Sequence, residues 1–246
     1  MEQFDEEYWN KYIFNKYGKE EVKTQDDLFC QVGLTVNRKP VEPDLFAAIV
    51  KDITVTLDLN LNDMLIDFCC GNGLITYELK DRVRHIIGVD FSTKIIETAK
   101  KLKQAPNITY CLGDVINFMK DFSTQFPESH PNKYLMNVSL AYFIPSDLQE
   151  MLSYIKIISP DFSFLLRGVP NESLKWNYYD TDARKQVYYA NIEKGDLTND
   201  GLGRWWQPEE IKTVCAGLGL TCVIRDQVFP HSNYRMDVII KTEGKE

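Results

Sequence analysis

The chain has 246 residues, 44% of them apolar, which is enough to bury a full core and suits one α/β domain with an appended cover better than two equal domains. A formal net charge of −8 and a pI near 5.1 repel a polyanion on average, and no basic patch offsets this, so nucleic acid is not the expected partner. The longest apolar runs, such as 64–70 and 238–240, are strand-length, and the acidic, aromatic start MEQFDEEYWNKY is neither a signal nor a transit sequence. The expectation is a cytoplasmic protein with no membrane partner. Cysteines 30, 69, 70, 111, 215 and 222 form no CxxC pair, and no histidine lies at ligand spacing. No metal is therefore expected, and those in apolar runs suit small buried hydrophobes in a reducing compartment.

In chain order, residues 1–62 predict a helical cap, with helices near Glu6–Tyr17 and Pro43–Thr56 around an irregular middle. From residue 63, apolar strand-like runs alternate with amphipathic helix-like ones, the pattern of a parallel sheet covered by helices on both faces. Met64–Cys69, His85–Asp90, Ile108–Leu112, Tyr134–Ser139 and Phe162–Arg167 predict strands one to five. Leu74–Asp81, Ser92–Lys103, Val115–Phe122 and Ser146–Ile155 predict the helices between them, with Ser92 and Ser146 as N-caps. Residues from about 171 to 205 are polar and aromatic, without a strand signal, and predict an inserted helical lid. Pro208 opens a helix through about Ala216, closed by Gly217 and Gly219. Thr221–Phe229 and Tyr234–Lys241 predict a final antiparallel pair, which completes a doubly wound, mostly parallel, seven-stranded sheet.

The sharpest signal is Leu65-Ile66-Asp67-Phe68-Cys69-Cys70-Gly71-Asn72-Gly73, an apolar strand that ends in a tight glycine turn and opens a helix. Glycine lets backbone approach a ligand closely, although such turns are also common structural punctuation. Asp90 ends the next strand, nineteen positions after Gly71, where a carboxylate can accept from both ribose hydroxyls. Gly113-Asp114 follows the third strand, where an acid can accept from an adenine amino group. Taken singly, each acid also fits a solvated loop. Together they stand at the C-terminal ends of three successive strands, where open α/β sheets bind ligands.

Asp67 discriminates between cofactors. A dinucleotide sets its pyrophosphate against the first turn, where a carboxylate would repel it. S-adenosylmethionine (SAM) carries a sulfonium and an ammonium instead. The third position of the dinucleotide fingerprint falls on Thr76, where glycine or alanine is wanted. An NAD(P)-dependent oxidoreductase is thus the second reading.

The stretch Asp67–Asp114 resembles the SAM-binding core of class I methyltransferases. The acidic strand-one motif matches Asp67, Gly71 and Gly73, with Cys69 where the family's first glycine usually stands. Asp90 matches the ribose-binding acid and Asp114 the adenine-side acid; Cys69, Phe91, Gly113 and Val115 complete the expected cofactor set. A looser similarity through Leu140-Ala141-Tyr142, Val169-Pro170, Trp205-Trp206-Gln207-Pro208 and Tyr234-Arg235-Met236-Asp237 resembles bacterial methyltransferases of glycan and small-molecule biosynthesis. The resemblance implies a Rossmann-like fold whose penultimate strand runs parallel to the others, and methyl transfer to a small-molecule or sugar acceptor. A SAM-binding regulatory subunit without catalysis is a further alternative.

Methyl transfer is an in-line displacement, so holding the reactants collinear and excluding water come first, and a sugar hydroxyl profits from a general base. His85 and His130 fall on the face opposite the predicted crevice. His231, in the turn between the last two strands, falls on the ligand face as the resemblance orders them; a surface turn histidine is the alternative. Tyr142, Asp147 and Asp200 are rival bases or orienting groups. The loop 139–145 is expected to face the methyl donor, where Tyr142 and Phe143 can attract a sulfonium or simply pack on a helix. Asn137-Val138-Ser139 is not the Asn/Asp-Pro-Pro-aromatic motif of amide and adenine amino methylases, which counts against those substrates; oxygen is the expected methylated atom. Trp176, Tyr178, Tyr179, Tyr188, Tyr189, Trp205 and Trp206 make the lid aromatic, suited to a ring or sugar face or to ordinary core packing. Tyr8, Trp9, Tyr12 and Phe14, then Phe29, Gln31 and Arg38, mark the segment that closes over SAM in related folds, with Arg38 either a carboxylate partner or a surface residue.

Overall fold

The computed structural model describes residues 22–36, 39–193, 202–227, 229 and 232–242. The chain divides into two compact units, Met1–Leu135 and Met136–Glu246. Its seven-stranded sheet has strands β1 (Met64–Phe68), β2 (His85–Asp90), β3 (Ile108–Leu112), β4 (Lys133–Asn137), β5 (Ser163–Pro170), β6 (Leu220–Asp226) and β7 (Arg235–Thr242). Their order is β3-β2-β1-β4-β5-β7-β6.

In the first unit, β1 pairs parallel with β2 from Met64 opposite His85 to Phe68 opposite Val89, and β2 pairs parallel with β3 from Ile86 opposite Ile108. All five residues of β1 are buried, as an apolar run covered on both faces must be. Helices α1 (Gln25–Gln31), α2 (Pro43–Thr56), α3 (Leu74–Glu78), α4 (Thr93–Leu102) and α5 (Val115–Gln125) accompany these strands. The apolar spacing of α4 turns Ile95, Ile96 and Ala99 inward, and Tyr110 of β3 packs with Ile96 and Ala99. The predicted bounds of α2, β2 and β3 match those observed. The helix after the glycine turn is shorter than predicted: Leu79 ends α3, and Lys80–Arg82 tightens into a 3-10 turn.

Two elements arise where the sequence predicts an irregular segment. Helix α1 begins at Thr24, whose hydroxyl accepts from the Asp27 N–H while Asp27 Oδ2 accepts from the Thr24 N–H, a reciprocal cap. Thr35–Val36 then pairs antiparallel with Lys39–Pro40. The predicted helix at Glu6–Tyr17 lies outside the described residues.

In the second unit, β7 runs antiparallel to both β5 and β6, so β6 points the same way as β5, as the resemblance implied. Strand β5 runs on to Pro170, with a bulge between Leu166 and Val169 around Gly168. The last two strands lie at Leu220–Asp226 and Arg235–Thr242, the first ending three residues earlier than predicted. Helix α6 (Pro145–Ile158) starts one residue before the predicted cap: Ile144 is the N-cap, Pro145 opens the helix, and Ser146 lies within it. The predicted lid contains a 3-10 turn at Glu172–Leu174, α7 (Lys175–Tyr178) and α8 (Asp182–Glu193). Helix α9 (Pro208–Gly217) precedes β6. Among the described residues, no helix is long and apolar enough to cross a membrane.

Candidate functional site

The polar residues of interest in the first unit gather at the C-terminal ends of β1 and β2. Asp67 is the one acid inside the apolar run of β1 and is 3% exposed. Thr76, fully buried on α3, donates its hydroxyl to Asp67 Oδ2 at 2.6 Å. Burial pushes the Asp67 carboxyl up to about 7; the Thr76 hydrogen bond opposes that rise and nearby Asp90 adds to it.

Asp90, 8% exposed, closes β2. Its Oδ2 accepts from the Gly71 N–H and its Oδ1 from the Ser92 N–H, both at 3.0 Å. Burial raises this carboxyl too, against the pull of backbone N–H donors from Ser92, Gly71 and Phe91. Among the described residues neither acid has an ion-pair partner, although an uncompensated buried charge is among the costliest features a fold can keep.

The turn between β1 and α3 is built to hold them. Cys70 donates its N–H to Val89 O at 3.0 Å, which ties the turn to β2. Cys69, standing where the family's first glycine is usual, takes the left-handed conformation itself, with φ +53°. The glycine geometry therefore survives the substitution, with strain of about 1–2 kcal/mol for a residue that carries a Cβ. Gly73 has φ +75°, and a Cβ there would stand 2.3 Å from Tyr110 Oη, whose ring reaches over from β3 and whose hydroxyl donates to Lys103 O at 2.9 Å. Asn72, fully buried between the two glycines, donates to Leu28 O at 2.8 Å and to Gln31 Oε1 at 2.9 Å, which docks α1 on the turn.

Asp114 is exposed and N-caps α5, its Oδ1 accepting from the Ile116 and Asn117 N–H groups, both at 3.0 Å. Gly113 beside it has open space where a Cβ would be, and Val115 is buried under the first turn of α5. Phe91 is half-buried just beyond Asp90. Asp67, Cys69, Gly71, Gly73, Asp90 and Phe91 are thus contiguous in the structure, around one turn and one strand end.

Of the predicted catalytic residues, Tyr142 and Asp147 are described. His231, Asp200 and Arg38 lie outside the described residues. Tyr142, half-buried, ends the 3-10 turn Leu140–Tyr142, whose other two residues are buried. Asp147 Oδ2 accepts the Ile144 N–H at 2.9 Å, so this carboxylate serves the start of α6. His85 meets the Thr109 hydroxyl at 3.1 Å, and burial first, then Arg84, holds its pKa below the ordinary value, in keeping with a structural role; His130 is exposed. Thr76, Tyr110 and Asn72 contribute to the site without having been singled out for it. Thr76 was legible only as a residue that spoils a dinucleotide fingerprint, and Tyr110 sits in an apolar run with no signal of its reach.

A family model described as a methyltransferase domain matches residues 65–158, the stretch that holds β1, the glycine turn and both buried acids. The fold is that of the class I, Rossmann-like methyltransferases that use SAM. A 2-phytyl-1,4-naphtoquinone methyltransferase of Nostoc sp. is 35% identical over 102 residues, covering 38% of this chain and 42% of that protein. An uncharacterized methyltransferase of Schizosaccharomyces pombe is 37% identical over 54 residues, covering 22% and 21%. The chain thus spans well under half the length of either curated relative. Among solved structures, magnesium protoporphyrin IX methyltransferase from Synechocystis with bound S-adenosylhomocysteine (SAH) matches with a TM-score of 0.62, at 13% identity, over 97% of both chains. That likeness is one of fold.

Proposed function

We propose that the protein is a SAM-dependent methyltransferase acting on a small molecule, with oxygen as the methylated atom. The observation that carries this reading is the pair of buried carboxylates, Asp67 and Asp90, with no ion-pair partner among the described residues. An electrically neutral or anionic ligand would leave that cost unrelieved, whereas a sulfonium or ammonium near them offsets it.

When bound, SAM supplies the methyl group. The protein's residues hold and orient it. Gly71, Gly73 and Cys69 set the turn so that backbone comes close. Asp90, already held by backbone N–H groups, has lone pairs left to accept from ribose hydroxyls. Asp114 uses Oδ1 as the α5 cap and keeps Oδ2 for an adenine amino group, with Phe91, Gly113 and Val115 lining the adenine side. The two curated relatives carry methyltransferase names, and one of those names specifies a naphthoquinone, which supports a small-molecule acceptor. A sugar acceptor is compatible with the aromatic residues after β5. Positioning in a dry site is the main catalytic contribution, with Tyr142 and the His231 turn as the candidate bases. Asp147 is assigned to its helix start.

The test is incubation of the full chain with methyl-labelled SAM and separate pools of phenols and quinols, sugars, and amines. Label is expected in an oxygen-bearing pool. Binding of SAM with no transfer to any pool would overturn the catalytic reading, and transfer only to amines would overturn the choice of oxygen.

A further inference from the structure

Helix α9 packs on β6, the last strand of the sheet, and each element turns a cysteine toward the other. On α9, Ile211 and Cys215 lie one turn apart and are both fully buried, which makes them its inner face. On β6, the exposed Thr221 and Val223 alternate with Leu220, Cys222 and Ile224, so Cys222 stands on the face that α9 covers. The chain reverses at once between them: Leu218 and Gly219 return their N–H groups to Cys215 O and Ala216 O, both at 3.0 Å, and Gly219 takes φ +63°. The two thiols meet across this turn, that of Cys215 donating to the Cys222 sulfur. Neither is in a disulfide.

The two are not equivalent. Cys215 has no exposure, whereas Cys222 is half-buried on an edge strand, where a small solute can reach it. The bond from Cys215 pulls the Cys222 thiol below its ordinary value; burial opposes that pull, and the Lys212 ammonium, one turn before Cys215, adds to it. Lys212 also pairs with Glu209 at 2.7 Å. The same bond, and then burial, push Cys215 up. Burial raises Cys70 and Cys111 as well, and Asp90 and Asp67 raise Cys70 further. Packing alone asks for neither the exposure of one thiol nor a cation beside it. A reachable thiol inclined to ionise, next to a second thiol that can resolve it, is the arrangement that peroxides oxidise selectively.

We propose that Cys222 and Cys215 are a site of reversible oxidation by peroxide, closing into a disulfide between β6 and α9. The Cys222 thiolate attacks one oxygen of the peroxide and the O–O bond breaks, which leaves a sulfenic acid on Cys222 and a hydroxide that takes up a proton to become water. The Cys215 sulfur then attacks the Cys222 sulfur, its own proton leaving with the expelled hydroxyl as a second water. Two thiols lose two electrons and one hydrogen peroxide gains them. The bond joins side chains already in contact across a short turn, so the elements need not part to form it. None of this depends on the proposed methyl transfer.

The test treats the full chain with hydrogen peroxide, caps the remaining thiols with iodoacetamide, and digests with trypsin, which releases residues 213–225 between Lys212 and Arg225 with both cysteines on one peptide. By mass spectrometry that peptide is expected to lose two hydrogens and take up no cap, at least about five-fold faster than Cys70 or Cys111 is consumed, and to take up two caps again after dithiothreitol. This map of the natural chain requires no variant to fold. In Cys215→Ser the sulfenic acid has no resolving thiol, so dimedone, which traps sulfenic acids, should label Cys222 there and not in the unaltered chain. In Cys222→Ser it should leave Cys215 unlabelled. Two capped thiols in 213–225 while Cys70 or Cys111 is oxidised, a disulfide from either residue to a cysteine elsewhere, or dimedone on Cys215 instead of Cys222 would overturn the proposal.

Discussion

Replacing Asp67 by asparagine removes a buried charge while keeping an oxygen to accept the Thr76 hydroxyl, which stands at 2.6 Å from the native carboxylate. The native carboxyl is raised by burial to about 7 from an unfolded value of 3.8. The folded state therefore prefers the protonated acid, and each pH unit between those values costs about 1.4 kcal/mol of native stability as pH rises. Below the unfolded value both states are protonated and the cost vanishes; above the folded value it is complete and constant. Between pH 5 and pH 8 the wild type should lose about 3 kcal/mol through this group, a loss absent from Asp67→Asn. Urea unfolding of both proteins at the two pH values measures it, because the difference between them cancels the titrating groups that Asp67 does not influence. The variant should gain on the wild type by about 3 kcal/mol on going from pH 5 to pH 8. A difference that stays the same within 1 kcal/mol would refute the idea that Asp67 is held against its charge. The same variant should bind SAM at least ten-fold more weakly at pH 8, which separates the group's cost to the fold from its use.

Gly73→Ala drives a Cβ to 2.3 Å from the Tyr110 hydroxyl in a left-handed residue and should cost about 3 kcal/mol in urea unfolding, part of it recovered in a Gly73→Ala, Tyr110→Phe double variant. Cys69→Gly relieves the left-handed backbone at φ +53° and should stabilise the apoprotein by about 1 kcal/mol, whereas Cys69→Val should destabilise it, both read as shifts in the urea midpoint. Asn72→Ala loses the hydrogen bonds to Leu28 O and Gln31 Oε1, and should cost about 2 kcal/mol while raising hydrogen exchange in α1 ahead of the rest of the first unit.

Much of the fold could be read from the sequence because its signals are local. The strands β1 to β3 are short apolar runs bounded by turn residues, and Pro43 and Pro208 each mark a helix start. Asp67 stands out as a charge inside such a run, and its burial follows from its neighbours. What was not legible depends on partners far apart in sequence. Tyr110 reaches Gly73 across thirty-seven positions, and Asn72 holds α1 across forty-four and forty-one, contacts that no local pattern encodes. Helix α1 was missed because its cap, Thr24 with Asp27, precedes only seven residues with two acids in the first turn. The sequence offers Ser146 as a cap, but Pro145 fixes its own φ and opens the helix one residue earlier, leaving Asp147 to meet the Ile144 N–H. The left-handed conformation of Cys69 was foreshadowed only by its alignment with a glycine position.

Calorimetric titration of the full chain at pH 8 with SAM, its thioether counterpart SAH, which keeps the ammonium but lacks the sulfonium charge, and NADH bears most directly on the electrostatic account. SAM and SAH should both bind, SAM the tighter of the two in the wild type with that preference reduced in Asp67→Asn, and NADH should not compete. Binding of NADH in preference to both, or a preference for SAM that is untouched by Asp67→Asn, would contradict it.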